Sequence, residues 1–140
     1  MSNKKQSFSG PAGEHFVLAE LLKQGKEAYL AHGETQKGWD IVRLRSRKAP
    51  IRIQVKTIDW PTEITVNGKF QSGFDILVVV LLNKPNSPRY LIIPRSKLIP
   101  FLSKLNPKRG AVQSLTIGKS FEDHATKDLK QFEDKWNSIR

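Results

Sequence analysis

The chain has 140 residues, about one domain's worth, and its 38% apolar content suits a compact core but no membrane span. Lys and Arg total 24 against 13 Asp and Glu, a formal charge of +11 that favours a polyanionic partner, nucleic acid before an anionic lipid surface. Cysteine is absent, which excludes disulfide frameworks, cysteine-based zinc sites and cysteine nucleophiles.

Met1 to Ser9 is polar and reads as a loose tail ahead of one domain over residues 10–140. It has no apolar stretch of the signal-peptide kind, so a cytoplasmic location is expected. After Pro11 and Gly13 a helix is expected from about Ala12 to Gln24, capped by Gly25, with Val17, Leu18, Leu21 and Leu22 as its buried stripe. A short strand, Glu27 to His32, and the polar loop GETQKG follow. Trp39–Arg45 and Ile51–Ile58 read as a hairpin around the turn SRKAP.

Residues 59–73 are less regular, with Pro61 and an Asn67-Gly68 turn signal. Asp75–Leu82 is almost wholly apolar, as a central strand covered on both faces requires. Arg89–Pro94 reads as another strand, SKLIPFLSKL as a short helix interrupted at Pro100, and AVQSLTI as an edge strand. A last helix is expected after Ser120, because Phe121, Ala125, Leu129, Phe132, Trp136 and Ile139 recur every three or four residues. The element order implies a single α/β domain with a central mixed β-sheet flanked by helices.

Two placements stand out chemically. At ~100° per residue, Glu14 projects along the same side of the first helix as its apolar stripe. It is either an N-terminal acid favoured by the helix dipole and bent to solvent, or an acid directed at the sheet and neutralised by a cation. In the hairpin, a five-residue loop Ser46–Pro50 pairs Arg45 with Ile51 and puts Asp40 opposite Lys56. Gln54 then shares their face, and Ile41, Ile53 and Val55 lie on the other. A buried Asp40–Lys56 ion pair is the plain reading, although such pairs contribute little to stability.

The alternative is a metal site. Mg²⁺ or Mn²⁺ prefers oxygen ligands, here Asp40, the amide oxygen of Gln54, the backbone carbonyl of Val55 and Glu14. Lys56 would orient or deprotonate an attacking water, or offset charge on a phosphorane-like transition state. Such a set is equipped to hydrolyse a phosphodiester.

The stretches GPAGEHFVLAELLKQG, GWDIVRLR, IRIQVKT and FDILVVV resemble, in order and spacing, the PD-(D/E)XK nuclease superfamily over Gly10 to Pro94. The resemblance implies a restriction-endonuclease-like, Holliday-junction-resolvase-like fold and a metal-dependent DNA endonuclease. It assigns Glu14 to the helix acid, Asp40 to the strand-opening Asp, and Gln54, Val55 and Lys56 to the (D/E)XK tripeptide. Trp39 stands where the motif has Pro, and Gln54 replaces an acid, which removes one negative ligand and gives Glu14 more weight. A catalytically inactive nucleic-acid-binding module of the same fold is the alternative, and RNA is an alternative to DNA.

Lys37, Arg43, Arg45, Arg47, Lys48 and Arg52 are the expected nucleic-acid contacts around the hairpin, with Lys4, Lys5, Lys104, Lys108 and Arg109 adding charge. His15, His32 and His124 fit no metal spacing. Trp60 reads as core, or as a stacking platform for a base. A symmetric homodimer would suit cutting both strands.

Overall fold

The computed structural model describes residues 8–31, 38–121 and 127–140. The expectations placed on Met1–Ser7, His32, Lys37 and His124 therefore lie outside the described residues.

Helix α1 runs Ser9–Lys23, beginning earlier than the sequence implied because Gly10 and Pro11 fit within its first turn. Ser9 therefore belongs to the helix rather than to a tail. Gly13, Val17 and Leu21 are its buried line, and Leu22 is 53% exposed, outside the expected stripe. Gly25, at φ +77°, ends the helix as expected.

Strands β1 (Ala28–Leu30), β2 (Ile41–Arg45), β3 (Lys48–Ile58), β5 (Ile76–Leu81) and β6 (Arg89–Pro94) form one sheet in the order β1-β2-β3-β5-β6. β3 and β5 run parallel and the other pairs antiparallel, so the sheet is mixed as anticipated. All six residues of β5 are buried, which is what a central strand under two layers demands. Strands β4 (Thr65–Lys69) and β7 (Val112–Thr116) make a separate two-stranded ribbon. Asn67-Gly68 is thus inside a strand, opposite Ser114 and Gln113, and not a turn. The alternation of Ile64, Val66 and Phe70 with polar residues outweighs the local turn preference of the dipeptide.

Two apolar cores flank the main sheet. One holds α1, with Val17 and Leu21 against Ile41, Ile53, Val55, Val78 and Ile92. The other holds Phe70, Phe74, Leu77, Val79, Leu91, Ile93, Leu98 and Leu115 beneath the ribbon. Helix α2 (Arg95–Leu98) gives way to a 3₁₀ turn at Ile99–Phe101 around Pro100.

Residues 122–126 of the expected final helix lie outside the described residues, and over 127–140 the expectation is corrected. Lys127–Phe132 and Trp136–Ser138 are 3₁₀ turns, separated by Asp134 at φ +56°. Leu129 and Phe132 join the core under the ribbon, while Trp136 and Ile139 join the core around α1. A single helix face cannot serve both layers. The chain instead crosses the edge of the sheet, bridging Glu133 to Leu91 and donating from Asp134 N to the Tyr90 carbonyl. No helix among the described residues is long and apolar enough to cross a membrane.

Candidate active site

The hairpin is tighter than its sequence implied. Arg45 pairs with Lys48 rather than Ile51, around Ser46 and Arg47, and Arg47 takes φ +59°. Pro50 lies within β3. Ile41 pairs with Ile53, so the register puts Asp40 opposite Gln54, not Lys56. The displacement is two residues, an even number, so alternation still assigns Asp40, Gln54 and Lys56 to one face. Ile41, Ile53 and Val55 share the α1 core on the other.

Asp40 is held at both its ends. Its N–H donates to the Ile53 carbonyl at 2.8 Å and its carbonyl accepts from Ala31 N at 2.8 Å. Its Oδ2 accepts from the backbone N–H of Val55 at 2.8 Å, between Gln54 and Lys56.

Gln54 and Lys56 open into one cavity of about 760 Å³, lined also by Gly38, Asn67, Gly68, Lys69, Gln71 and Gly73 among others. Asp40 and Glu14 are not among the lining residues. Gln54 is 8% exposed, and its Oε1 is buried with no hydrogen-bond donor among the described residues. A buried carbonyl without a partner carries a desolvation penalty that a hard cation would relieve. These donor types, an amide oxygen of Gln54 and the carboxylate of Asp40 across the strand register, fit Mg²⁺ or Mn²⁺ better than a soft metal. Among the described residues no group of three His, Cys, Asp or Glu side chains gathers in one place.

Two glycines set the spacing around these residues. A Cβ on Gly68 would stand 2.9 Å from Lys56 Cε and 2.8 Å from Phe70 Cζ, so the ribbon lies directly on the lysine stem. A Cβ on Gly13 would stand 1.7 Å from Thr57 Oγ1. Only a glycine lets α1 approach β3 so closely. Glu14, the next residue, is half-buried at that junction in the helix layer. His15 is exposed and its Nδ1 hydrogen-bonds to the Pro11 carbonyl at 2.8 Å.

The far wall was not foreseen. Arg95 donates to the Phe74 and Gln71 carbonyls, each at 3.0 Å, fixing the segment that lines the cavity. Gln71 donates to Gln113 across the gap to β7. The readable signal was the period-2 pattern from Ile64 to Phe70, which the Asn-Gly pair obscured.

The hairpin arginines are not gathered here. Arg43 donates to the Leu44 carbonyl at 2.6 Å, and Arg45 to the Ala49 carbonyl at 2.6 and 3.0 Å. Arg52 bridges Asp75 at 3.3 Å and holds that carboxyl below its ordinary pKa, its hydrogen bonds together outweighing the larger opposing effect of burial. Lys48 lies eight residues before Lys56 on β3, roughly 26 Å along a strand rising about 3.3 Å per residue. Trp60 is 7% exposed and donates from Nε1 to the Gly118 carbonyl at 2.7 Å, which makes it core rather than a stacking platform.

No protein-family model matches this sequence, and no curated protein matches it. Among solved structures, the chain is similar to the bacterial homing endonuclease I-Ssp6803I, with a TM-score of 0.67 at 16% identity, over 99% of this chain and 92% of that one. It is also similar to Hjc, a Holliday junction resolvase from the archaeal hyperthermophile Archaeoglobus fulgidus, with a TM-score of 0.54 at 15% identity, over 93% of each chain. The chain has the restriction-endonuclease-like fold.

Proposed function

We propose that this protein is a divalent-metal-dependent endonuclease that hydrolyses DNA phosphodiester bonds. The observation that carries the reading is the buried, unpartnered Oε1 of Gln54, a residue that lines the same cavity as Lys56. Two solved structures of similar fold, named as a homing endonuclease and a Holliday junction resolvase, support it.

Asp40, Gln54 and the Val55 carbonyl would hold Mg²⁺ or Mn²⁺, with Glu14 of the helix layer, on the other face of β3 from Gln54, as a further acid at its edge; the ion when bound lowers the pKa of a water and withdraws charge from a phosphate oxygen. Lys56 supplies a fixed cation at the reacting phosphate, orients the attacking water and can exchange a proton with it. The Val55 N–H holds the Asp40 carboxylate still, which limits the reorganisation needed during reaction. Since Gln54 brings no negative charge, the acids Asp40 and Glu14 must carry the electrostatic part of binding.

Purified protein is expected to cut duplex, branched or single-stranded DNA with Mg²⁺ or Mn²⁺, and Lys56→Ala and Asp40→Ala to abolish cutting while most DNA affinity remains. Failure to cut any of these substrates with either metal overturns the proposal. A second reading, a binding module without catalysis, is favoured by Gln54 in place of an acid and by the lack of a three-acid group among the described residues. Calorimetry separates the two. No Mn²⁺ binding at millimolar metal, with salt-dependent DNA affinity retained, selects the binding module.

A further inference from the structure

The β4–β7 ribbon has an outward face that the catalytic reading leaves unused. Val66, Gln113 and Leu115 point into the protein, whereas Asn67, Lys69 and Thr116 are exposed. Asn67 and Ser114 are cross-strand partners, and Ser114 Oγ donates to Asn67 Oδ1 at 2.6 Å. Arg109, from the turn before β7, donates to Ser114 Oγ at 3.3 Å and to Asn67 Oδ1 at 3.4 Å. These bonds hold the amide of Asn67 in one orientation, and its Nδ2 donates to no described residue. Asn67 and Lys69 also line the cavity that holds Gln54 and Lys56, so the face is continuous with the candidate active site.

Charge points the same way. Lys69 on β4 and Arg109 beside β7 put two cations at this face, and neither strand carries an Asp or Glu. A two-stranded ribbon is of a size to enter the major groove, where the Nδ2 of Asn67 can donate to a base acceptor such as a purine N7 and the remaining N–H groups of Arg109 to a guanine edge.

We propose that the outward face of this ribbon lies in the major groove of the DNA beside the scissile phosphate, with Asn67 and Arg109 reading base edges. The inference rests on the DNA reading above and adds to it the residues that select sequence.

The test is selection of binding sites from a pool of random duplexes in EDTA, where cutting cannot interfere. Wild-type protein enriches a motif. Asn67→Ala and Arg109→Ala each lose about five- to hundredfold preference at one or two positions. Their affinity for unrelated DNA stays within about threefold and their melting temperatures stay close to wild type. Asn67→Gln alters the selected base instead of erasing the preference. No enriched motif with wild type, or the same motif with both alanine variants, overturns the proposal. Protein that selects a motif but cuts nothing sinks the nuclease reading and keeps this one; protein that cuts but selects nothing does the reverse.

Discussion

The carboxylate of Asp40 accepts a 2.8 Å hydrogen bond from the backbone N–H of Val55, the residue between Gln54 and Lys56. One side chain thus ties the start of β2 to the part of β3 that opens into the cavity. Asp40 has a structural task and a proposed catalytic one, and two substitutions separate them. Asp40→Asn keeps an oxygen acceptor for Val55 and removes the charge. It is expected to leave the melting temperature nearly unchanged and to slow cleavage by about a hundredfold or more. Asp40→Ala leaves the Val55 N–H without its acceptor and should cost about 1–3 kcal/mol in urea unfolding as well. Equal cleavage by Asp40→Asn and wild type would contradict the metal-ligand role.

Gly68 controls the position of Lys56. A methyl group there meets the lysine stem and the Phe70 ring, and Phe70 is 1% exposed and cannot yield. The flexible lysine can swing aside, and relief of the 2.8 Å contact with the Phe70 ring also requires the β4 backbone to shift, so a lower melting temperature accompanies the displaced lysine. Gly68→Ala is expected to lower kcat about tenfold or more with DNA affinity and KM little changed, since small misplacements of a reacting group are costly. Steady-state kinetics beside a thermal melt decide this, and an unchanged kcat contradicts it.

In a free helix Gly13→Ala would gain about 1 kcal/mol. Here the new methyl would overlap Thr57 Oγ1 at 1.7 Å, and overpacking of this kind costs about 1–3 kcal/mol. The clash is the larger effect, so net destabilisation is expected in urea unfolding. Thr57→Ala in the same chain removes the nearest atom and should restore part of the loss.

Glu133 and Arg89 fasten the C-terminal segment to β6 through bonds of 2.7 and 2.8 Å. The Arg89 guanidinium also lies 4.6 Å from the Phe121 ring centre and 5.3 Å from that of Trp60. The hydrogen bonds from Arg89 lower the Glu133 pKa, against the opposing effect of burial. A carboxyl whose pKa is lowered by folding stabilises the protein above its unfolded value and loses that contribution as pH falls through the folded one. Glu133→Gln is therefore expected to cost about 1–3 kcal/mol at pH 7 and progressively less as pH falls below the ordinary carboxylate range. Unfolding curves across that range test it, and a cost independent of pH would refute the charge-based account.

Much of the fold was legible because periodicity is a physical signal. The unbroken apolar run of β5 and the alternation in β3 each admit one placement, and alternation alone puts Gln54 and Lys56 on one face, where both line the cavity. Register was less legible, because the chain turns at Ser46 and Arg47 with Arg47 left-handed, a conformation its sequence does not advertise. The C-terminal periodicity was real burial but not one helix, since its apolar residues divide between two cores. The ribbon wall and the closeness of Gly68 to Lys56 were hidden because both depend on tertiary contact between segments far apart in sequence.

The central claim is that Asp40 and Gln54 hold a divalent cation beside Lys56. A crystal soaked in Mn²⁺ and measured at the manganese absorption edge tests it most directly. The account predicts an anomalous peak at about 2.0–2.3 Å from an Asp40 carboxylate oxygen and from Gln54 Oε1, lost in Asp40→Ala. No peak there at millimolar Mn²⁺, or a peak that survives Asp40→Ala, would contradict it.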